Sequence, residues 1–152
     1  MNRWMEVAYN EAIYGMTHQE GGPFGAVIVK DGNIIAKAHN RVLLSNDPTA
    51  HAEVNAIREA SQVLESFDLS GCVLYTTCKP CPMCLGAVMW ARIAKVYYGT
   101  TEKDAAAIGF DDARFYNIIN GDDNSLAMEQ IDYEESKELF DKWMQNTQRQ
   151  LY

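Results

Sequence analysis

Hydrophobic positions recur along the chain with two different periods, and the switches between them mark its elements. Met5, Ala8, Tyr9, Ala12, Ile13 and Met16 fall three or four residues apart, the spacing of one helix face, so residues 2–18 are expected to form an amphipathic helix. The GGPFG segment that follows is a tight loop. The runs FGAVIVK (24–30) and IIAKAHN (34–40) flank Asp31-Gly32-Asn33, a hairpin signal. A polar loop over 41–47 leads to Asp47-Pro48, which reads as an N-cap followed by proline in the first turn of a helix. Ala50, Val54, Ile57, Ala60 and Leu64 carry that helix to about residue 65. CVLYTT (72–77) is a buried strand, and Pro80 opens a helix through Leu85, Val88 and Met89 to about residue 92. KVYYGT (95–100) is a further strand. Short helices and loops are expected over 103–119 and an edge strand over 126–131. Leu139, Phe140, Trp143 and Met144 give a last amphipathic helix, ending near residue 148.

Strands alternating with helices imply an α/β sheet covered on both faces, with the hairpin adding an antiparallel pair. The 152 residues contain no repeat, low-complexity stretch or linker, so one domain over 1–152 is expected, with 133–152 a C-terminal helix and tail. Hydrophobic residues make up 47% and charged residues 22%, which excludes a disordered or fibrous chain. No apolar run approaches the roughly 20 residues of a membrane span. The N-terminal MNRWMEVAYNEA lacks the apolar core of a signal peptide. The expectation is a cytoplasmic protein with no membrane partner.

Charge narrows the partners. The net of −8 divides unevenly: residues 1–100 hold eight Lys or Arg against nine Asp or Glu, and residues 101–152 hold five against twelve. A protein that grips a polyanion is usually basic, so nucleic acid is disfavoured and a small neutral substrate is favoured. The acidic tail itself is accounted for by a solvated helix face.

The four cysteines, Cys72, Cys78, Cys81 and Cys84, all lie within thirteen residues. A secreted disulfide framework would spread them out; clustered thiols point to metal or redox chemistry. Cys81 and Cys84 are three apart and share the start of a helix, where the positive end of the helix favours thiolate. His51-Ala52-Glu53 opens another helix. Two thiolates and one imidazole make three ligands for a tetrahedral ion and leave a fourth position for water, the pattern of a catalytic zinc. At a helix end, Glu53 can reach the same site without binding the metal. Other readings stay open on the residues alone. They are a redox CxxC pair, half of an iron–sulfur run whose next position is Val88, and a structural zinc on all four cysteines. Cys72 reads as a buried hydrophobe and Cys78 as a bystander, while His18 and His39 read as surface or satisfied histidines.

His51-Ala-Glu53, 26 intervening residues, then Pro80-Cys81-Pro-Met-Cys84 resembles the zinc-dependent nucleobase and nucleoside deaminase superfamily. That resemblance implies a cytidine deaminase-like fold, a three-layer α/β/α sandwich around a five-stranded mixed sheet. The phrases GGPFGAVIVKDG, SNDPTAHAEV, PCPMCLGA, WAR and GFDD, with a terminal Tyr152, are similar to the bacterial guanine deaminases over nearly the whole chain. The resemblance implies His51, Cys81 and Cys84 as Zn2+ ligands and Glu53 as the proton shuttle. It implies Asp112 as a second catalytic carboxylate and Asn40 as the amide that reads the base. Phe24, Ala52 and Trp90 line the substrate pocket in this scheme, and Tyr152 covers it. It further implies a homodimer, with exchange of C-terminal segments between subunits as one form. One departure is Lys79, where the family usually has Glu.

The implied reaction is hydrolytic deamination of guanine to xanthine and ammonia. Rival functions are a tRNA adenosine deaminase, a deaminase of another small base such as cytosine, and a non-catalytic zinc-binding subunit. The last commonly lacks the shuttle carboxylate, which is present here as Glu53.

Overall fold

A computed structural model describes residues 1–152. Helix α1 (Arg3–Thr17) begins where the Asn2 side chain accepts the Trp4 and Met5 N–H groups. Strands β1 (Gly25–Lys30) and β2 (Asn33–His39) form the expected hairpin. Asp31 and Gly32 both adopt positive φ, 50° and 75°, as a tight two-residue hairpin turn requires. The order continues with α2 (Val42–Ser45), α3 (Ala52–Val63), β3 (Cys72–Cys78), α4 (Pro82–Trp90) and β4 (Lys95–Thr100). Three helices follow: α5 (Glu102–Ala107), α6 (Ala113–Asn120) and α7 (Tyr133–Gln145).

The sheet order is β2-β1-β3-β4. β1 runs antiparallel to β2 and β3, and β3 runs parallel to β4 across the α4 crossover. β1 is central, and its alternating side chains feed two cores. Ala26 and Ile28 join Ala56, Leu74 and Val88 beneath α3 and α4. Val27 and Val29 meet Ala8, Trp4 and Val7 of α1 on the other face. A side chain at Gly25 would collide with the Ala8 carbonyl, so glycine lets α1 lie directly on the sheet. The result is three layers, α/β/α.

The structure corrects the expected strand count: the sheet has four strands, not five. Residues 126–131 form no strand. Their Ala, Met, Glu and Gln suit a pleated surface poorly, and Leu126 and Met128 stay exposed. Beyond β4 a reciprocal Thr101–Asp104 capping box turns the chain into α5 and away from the sheet edge. The helix expected from Pro48 begins instead at Ala52. Asp47 closes a local turn, accepting the Thr49 N–H at 2.8 Å and hydroxyl at 2.7 Å. Likewise α4 starts at Pro82, two residues after Pro80, and the loop over 41–47 contains the one-turn α2. No residue after Ile93 is buried, and no helix is long and apolar enough to cross a membrane.

Candidate active site

The late starts of α3 and α4 place the site. His51 and Cys81 each occupy the residue before a helix, in extended backbone (ψ 156° and 169°), and neither side chain caps its own helix. Both are thus free to aim at a common point, which Cys84 reaches from the first turn of α4. His51 Nδ1 lies 3.5 Å from Cys84 Sγ and 3.7 Å from Cys81 Sγ, and the three ligand atoms fall within 4.8 Å of one another. Tetrahedral zinc with Zn–S about 2.3 Å and Zn–N about 2.0 Å sets N···S near 3.6 Å, so this donor set fits the ion. The Cys84 thiol donates to Cys81, and with the His51 ring it pulls the Cys81 thiol down to about 4. The same contact, with burial, pushes Cys84 up, while the bond to Cys81 raises His51. Cys72 is buried in the core, and Cys78 points its thiol at the Thr101 carbonyl; neither joins the ligand set.

Glu53, in the first turn of α3, is 6% exposed. Its Oε1 accepts the Thr76 hydroxyl at 3.1 Å and its Oε2 faces Cys84 Sγ at 3.5 Å. Burial pushes its carboxyl above the ordinary range. It stands beside the ligand cluster and outside it.

A cavity of about 530 Å³ opens over these groups, lined by His51, Glu53, Cys81, Asn40, Phe24 and Asp112 among others. That is room for one heterocyclic base with water. Asn40 follows β2 and is 5% exposed. Its Oδ1 accepts the Val42 N–H at 3.1 Å and the Gly22 N–H at 3.4 Å. Both partners are donors, so the amide orientation is fixed and Nδ2, with no protein partner, is the group offered to the cavity. A side chain at Gly21 would strike Asn40, so glycine there lets the loop close over the amide. Asp112 sits at the start of α6; burial, and then the Cys81 sulfur, push its carboxyl up.

The structure brings seven of the ten expected site residues to this cavity or its ligand cluster and leaves three elsewhere. Ala52 is fully buried in the core between His51 and Glu53. Trp90, at the far end of α4, is 72% exposed, and Tyr152 packs near it and Phe67 with ring centroids 6.4 Å away. Both line a second cleft between α3 and α4 instead of the cavity over the ligands. They fall there because position 90 is nearly two turns beyond the metal turn, a distance that no residue type encodes.

Other lining residues carried no signal of their own. Phe110 meets Phe24 edge-on at 5.0 Å and 85°, forming the aromatic wall assigned in the sequence to Phe24 and Trp90. It stands two residues before Asp112, within the GFDD string that located the carboxylate. Lys79 lies on the rim, its Nζ 3.2 Å from Glu102 Oε2, and that pairing raises its ammonium.

The family of the cytidine and deoxycytidylate deaminase zinc-binding region matches residues 1–100. The chain is 46% identical over 151 residues to guanine deaminase from Bacillus subtilis (strain 168), covering 98% of this chain and 97% of the relative. It is 36% identical over 150 residues to the tRNA-specific adenosine deaminase of Aquifex aeolicus (strain VF5), covering 97% and 96%. The crystal structure of the B. subtilis guanine deaminase superposes with TM-score 0.94 at 46% identity, over 100% of this chain and 99% of the other. That of guanine deaminase from Nitrosomonas europaea superposes with TM-score 0.69 at 32% identity, over 72% and 64%. With the His51–Cys81–Cys84 cluster, these matches place the chain in the zinc-binding cytidine and deoxycytidylate deaminase family.

Proposed function

We propose that this protein hydrolyses guanine to xanthine and ammonia. The observation that carries this reading is the pairing of a locked amide donor, Asn40 Nδ2, with the Asp112 carboxylate around one cavity. Guanine presents O6 and N7 as acceptors on one edge, which suits the amide. Its N1–H and N2–H₂ donors lie on the next edge, which suits a carboxylate. Adenine and cytosine carry a bare ring nitrogen beside the amine, an acceptor that an ionised Asp112 repels. Phe24 and Phe110 supply apolar walls for a two-ring base. The 46% identity to a guanine deaminase against 36% to a tRNA-specific adenosine deaminase supports the same reading, as does the net of −7 over residues 101–152.

His51, Cys81 and Cys84 would hold zinc, which would supply an activated water as the nucleophile. Glu53 takes a proton from that water. Its buried carboxyl holds the proton more readily than a solvated one and passes it to the ring nitrogen beside C2. The water oxygen bonds to C2, and Glu53 carries its remaining proton to the amine, which leaves as ammonia as the C2 carbonyl forms. Thr76 fixes the carboxylate by bonding Oε1, so Oε2 is the oxygen that exchanges protons. Asp112 accepts from the N1–H and N2–H₂ edge and turns C2 toward the ligand cluster.

We also propose a cytoplasmic homodimer with exchanged C-terminal segments. Four free cysteines suit a reducing compartment. Leu139, Phe140, Trp143 and Met144 of α7 are 40–73% exposed, an apolar face that a second copy would cover. Tyr152 then covers the cavity of the partner. Light scattering should give twice the 17.1 kDa chain mass, and a monomer at working concentration refutes the exchange.

The deciding assay compares kcat/KM for guanine, cytosine, adenine, guanosine and a tRNA anticodon stem-loop. Guanine is expected to lead. Preference for cytosine, a nucleoside or the stem-loop overturns the proposal.

A further inference from the structure

His39 occupies the last position of β2 and is 4% exposed, yet it has no part in the chemistry above. Its Nδ1 lies 3.0 Å from Glu11 Oε2 on α1, and its Nε2 lies 2.6 Å from Glu20 Oε2 in the loop after α1. Each ring nitrogen thus has its own carboxylate partner. Lys37 Nζ takes the other Glu11 oxygen at 3.0 Å. Gly15 of α1 backs the ring so closely that a side chain there would come within 2.5 Å of His39 Cδ2. The ring therefore has one position and two carboxylate partners.

The contacts continue from Glu20 to the cavity. The Glu20 backbone carbonyl accepts the N–H groups of Leu43 and Leu44, each at 3.0 Å, and so holds α2. The Val42 N–H at the start of α2 binds Asn40 Oδ1, and Asn40 is joined to His39 by the peptide bond. The links close a ring: His39 to Glu20, Glu20 to α2, α2 to Asn40, and Asn40 back to His39. From this circuit we infer that His39 is a positioning residue for base recognition, acting through Glu20 and α2 on the Asn40 amide. The inference rests on Asn40 reading the base, as proposed above.

Removing one corner of such a ring loosens the amide without touching the His51–Cys81–Cys84 cluster. His39→Gln, which donates to only one of the two carboxylates, should raise KM for guanine about tenfold, with kcat within about threefold and zinc content unchanged. Glu20→Ala should do the same, whereas Glu20→Gln keeps an acceptor for Nε2–H and should stay within about twofold of wild type. The discriminating measurement is a double-mutant cycle with Asn40→Ala. In that background His39→Gln should add no further rise in KM, because the group it positions is gone. An unchanged KM in both His39→Gln and Glu20→Ala overturns the inference, and so does the same rise with and without Asn40. If His39→Gln fails to fold, the Glu20 pair carries the same cycle. Wild type inactive on guanine would refute the substrate assignment instead, an outcome distinct from these.

Discussion

Asn55 ties together the two halves of the site, and its removal has a calculable cost. It lies in α3, is 7% exposed, and its Nδ2 donates to the His39 carbonyl at 3.0 Å and the Ala50 carbonyl at 3.1 Å. One side chain therefore pins the strand end that carries Asn40 to the turn that carries His51. In Asn55→Ala the Ala50 carbonyl keeps the Arg41 N–H at 2.9 Å, so that loss is one shared hydrogen bond, about 0.5–1.5 kcal/mol. The His39 carbonyl loses its side-chain donor in a buried setting, which costs about 1–3 kcal/mol. The expected destabilisation is about 1.5–4.5 kcal/mol. For a chain of this length that lowers Tm by about 5–14 °C. Calorimetry and urea titration of Asn55→Ala measure the loss. Asn33→Ala is the control, since Asn33 makes one exposed bond within the hairpin turn and should shift stability by no more than about 0.5 kcal/mol. Because both strand end and metal turn are released, kcat/KM should fall alongside stability at temperatures where the variant is still folded. A Tm within about 2 °C of wild type would refute the argument that this amide carries the junction.

Glu53→Gln keeps the shape and an acceptor for the Thr76 hydroxyl but removes the shuttle, so zinc content should hold while turnover drops at least about 10²-fold; near-normal turnover rejects the assignment. Cys81→Ser should lose most of the metal, and Cys72→Ser, whose sulfur sits in the core, should keep it; equal losses by metal analysis would indicate an all-cysteine site. In the proposed scheme Asp112 works ionised, a form that exists above its pKa. Burial and the Cys81 sulfur raise that pKa, so kcat/KM for guanine should fall on the acid side at a pH above the ordinary aspartate value of about 3.9. Unchanged kcat/KM for guanine in Asp112→Asn removes this carboxylate from the scheme.

What could be read from the sequence depended on how local each cause was. The ligand set was legible because His-x-Glu and Pro-Cys-x-x-Cys each sit at a helix start, and a helix start fixes direction within one turn. The hairpin was legible because Asp31-Gly32 takes positive φ by residue type. Asp47-Pro48 misled because an aspartate that caps a helix and one that closes a turn look alike; the Thr49 hydroxyl decided between them. The edge strand at 126–131 failed because the capping box at Thr101 turns the chain away from the free edge of β4. Trp90 and Tyr152 ended in another cleft because a wall residue is defined by tertiary direction. The His39 clasp was invisible for the same reason: its two carboxylates stand 28 and 19 residues away in the chain.

The fixed orientation of the Asn40 amide bears on how a turnover ends. Xanthine keeps the O6 and N7 of guanine, so under the proposed recognition an amide that cannot rotate grips product as firmly as substrate on that side. The edge that changes is at C2, where oxygen replaces the amine and an acceptor comes to face Asp112 in place of a donor. In the proposed scheme the carboxylate that admits guanine thus repels what guanine becomes. Retention is assigned to a side chain blind to the reaction, and ejection to one that senses its completion.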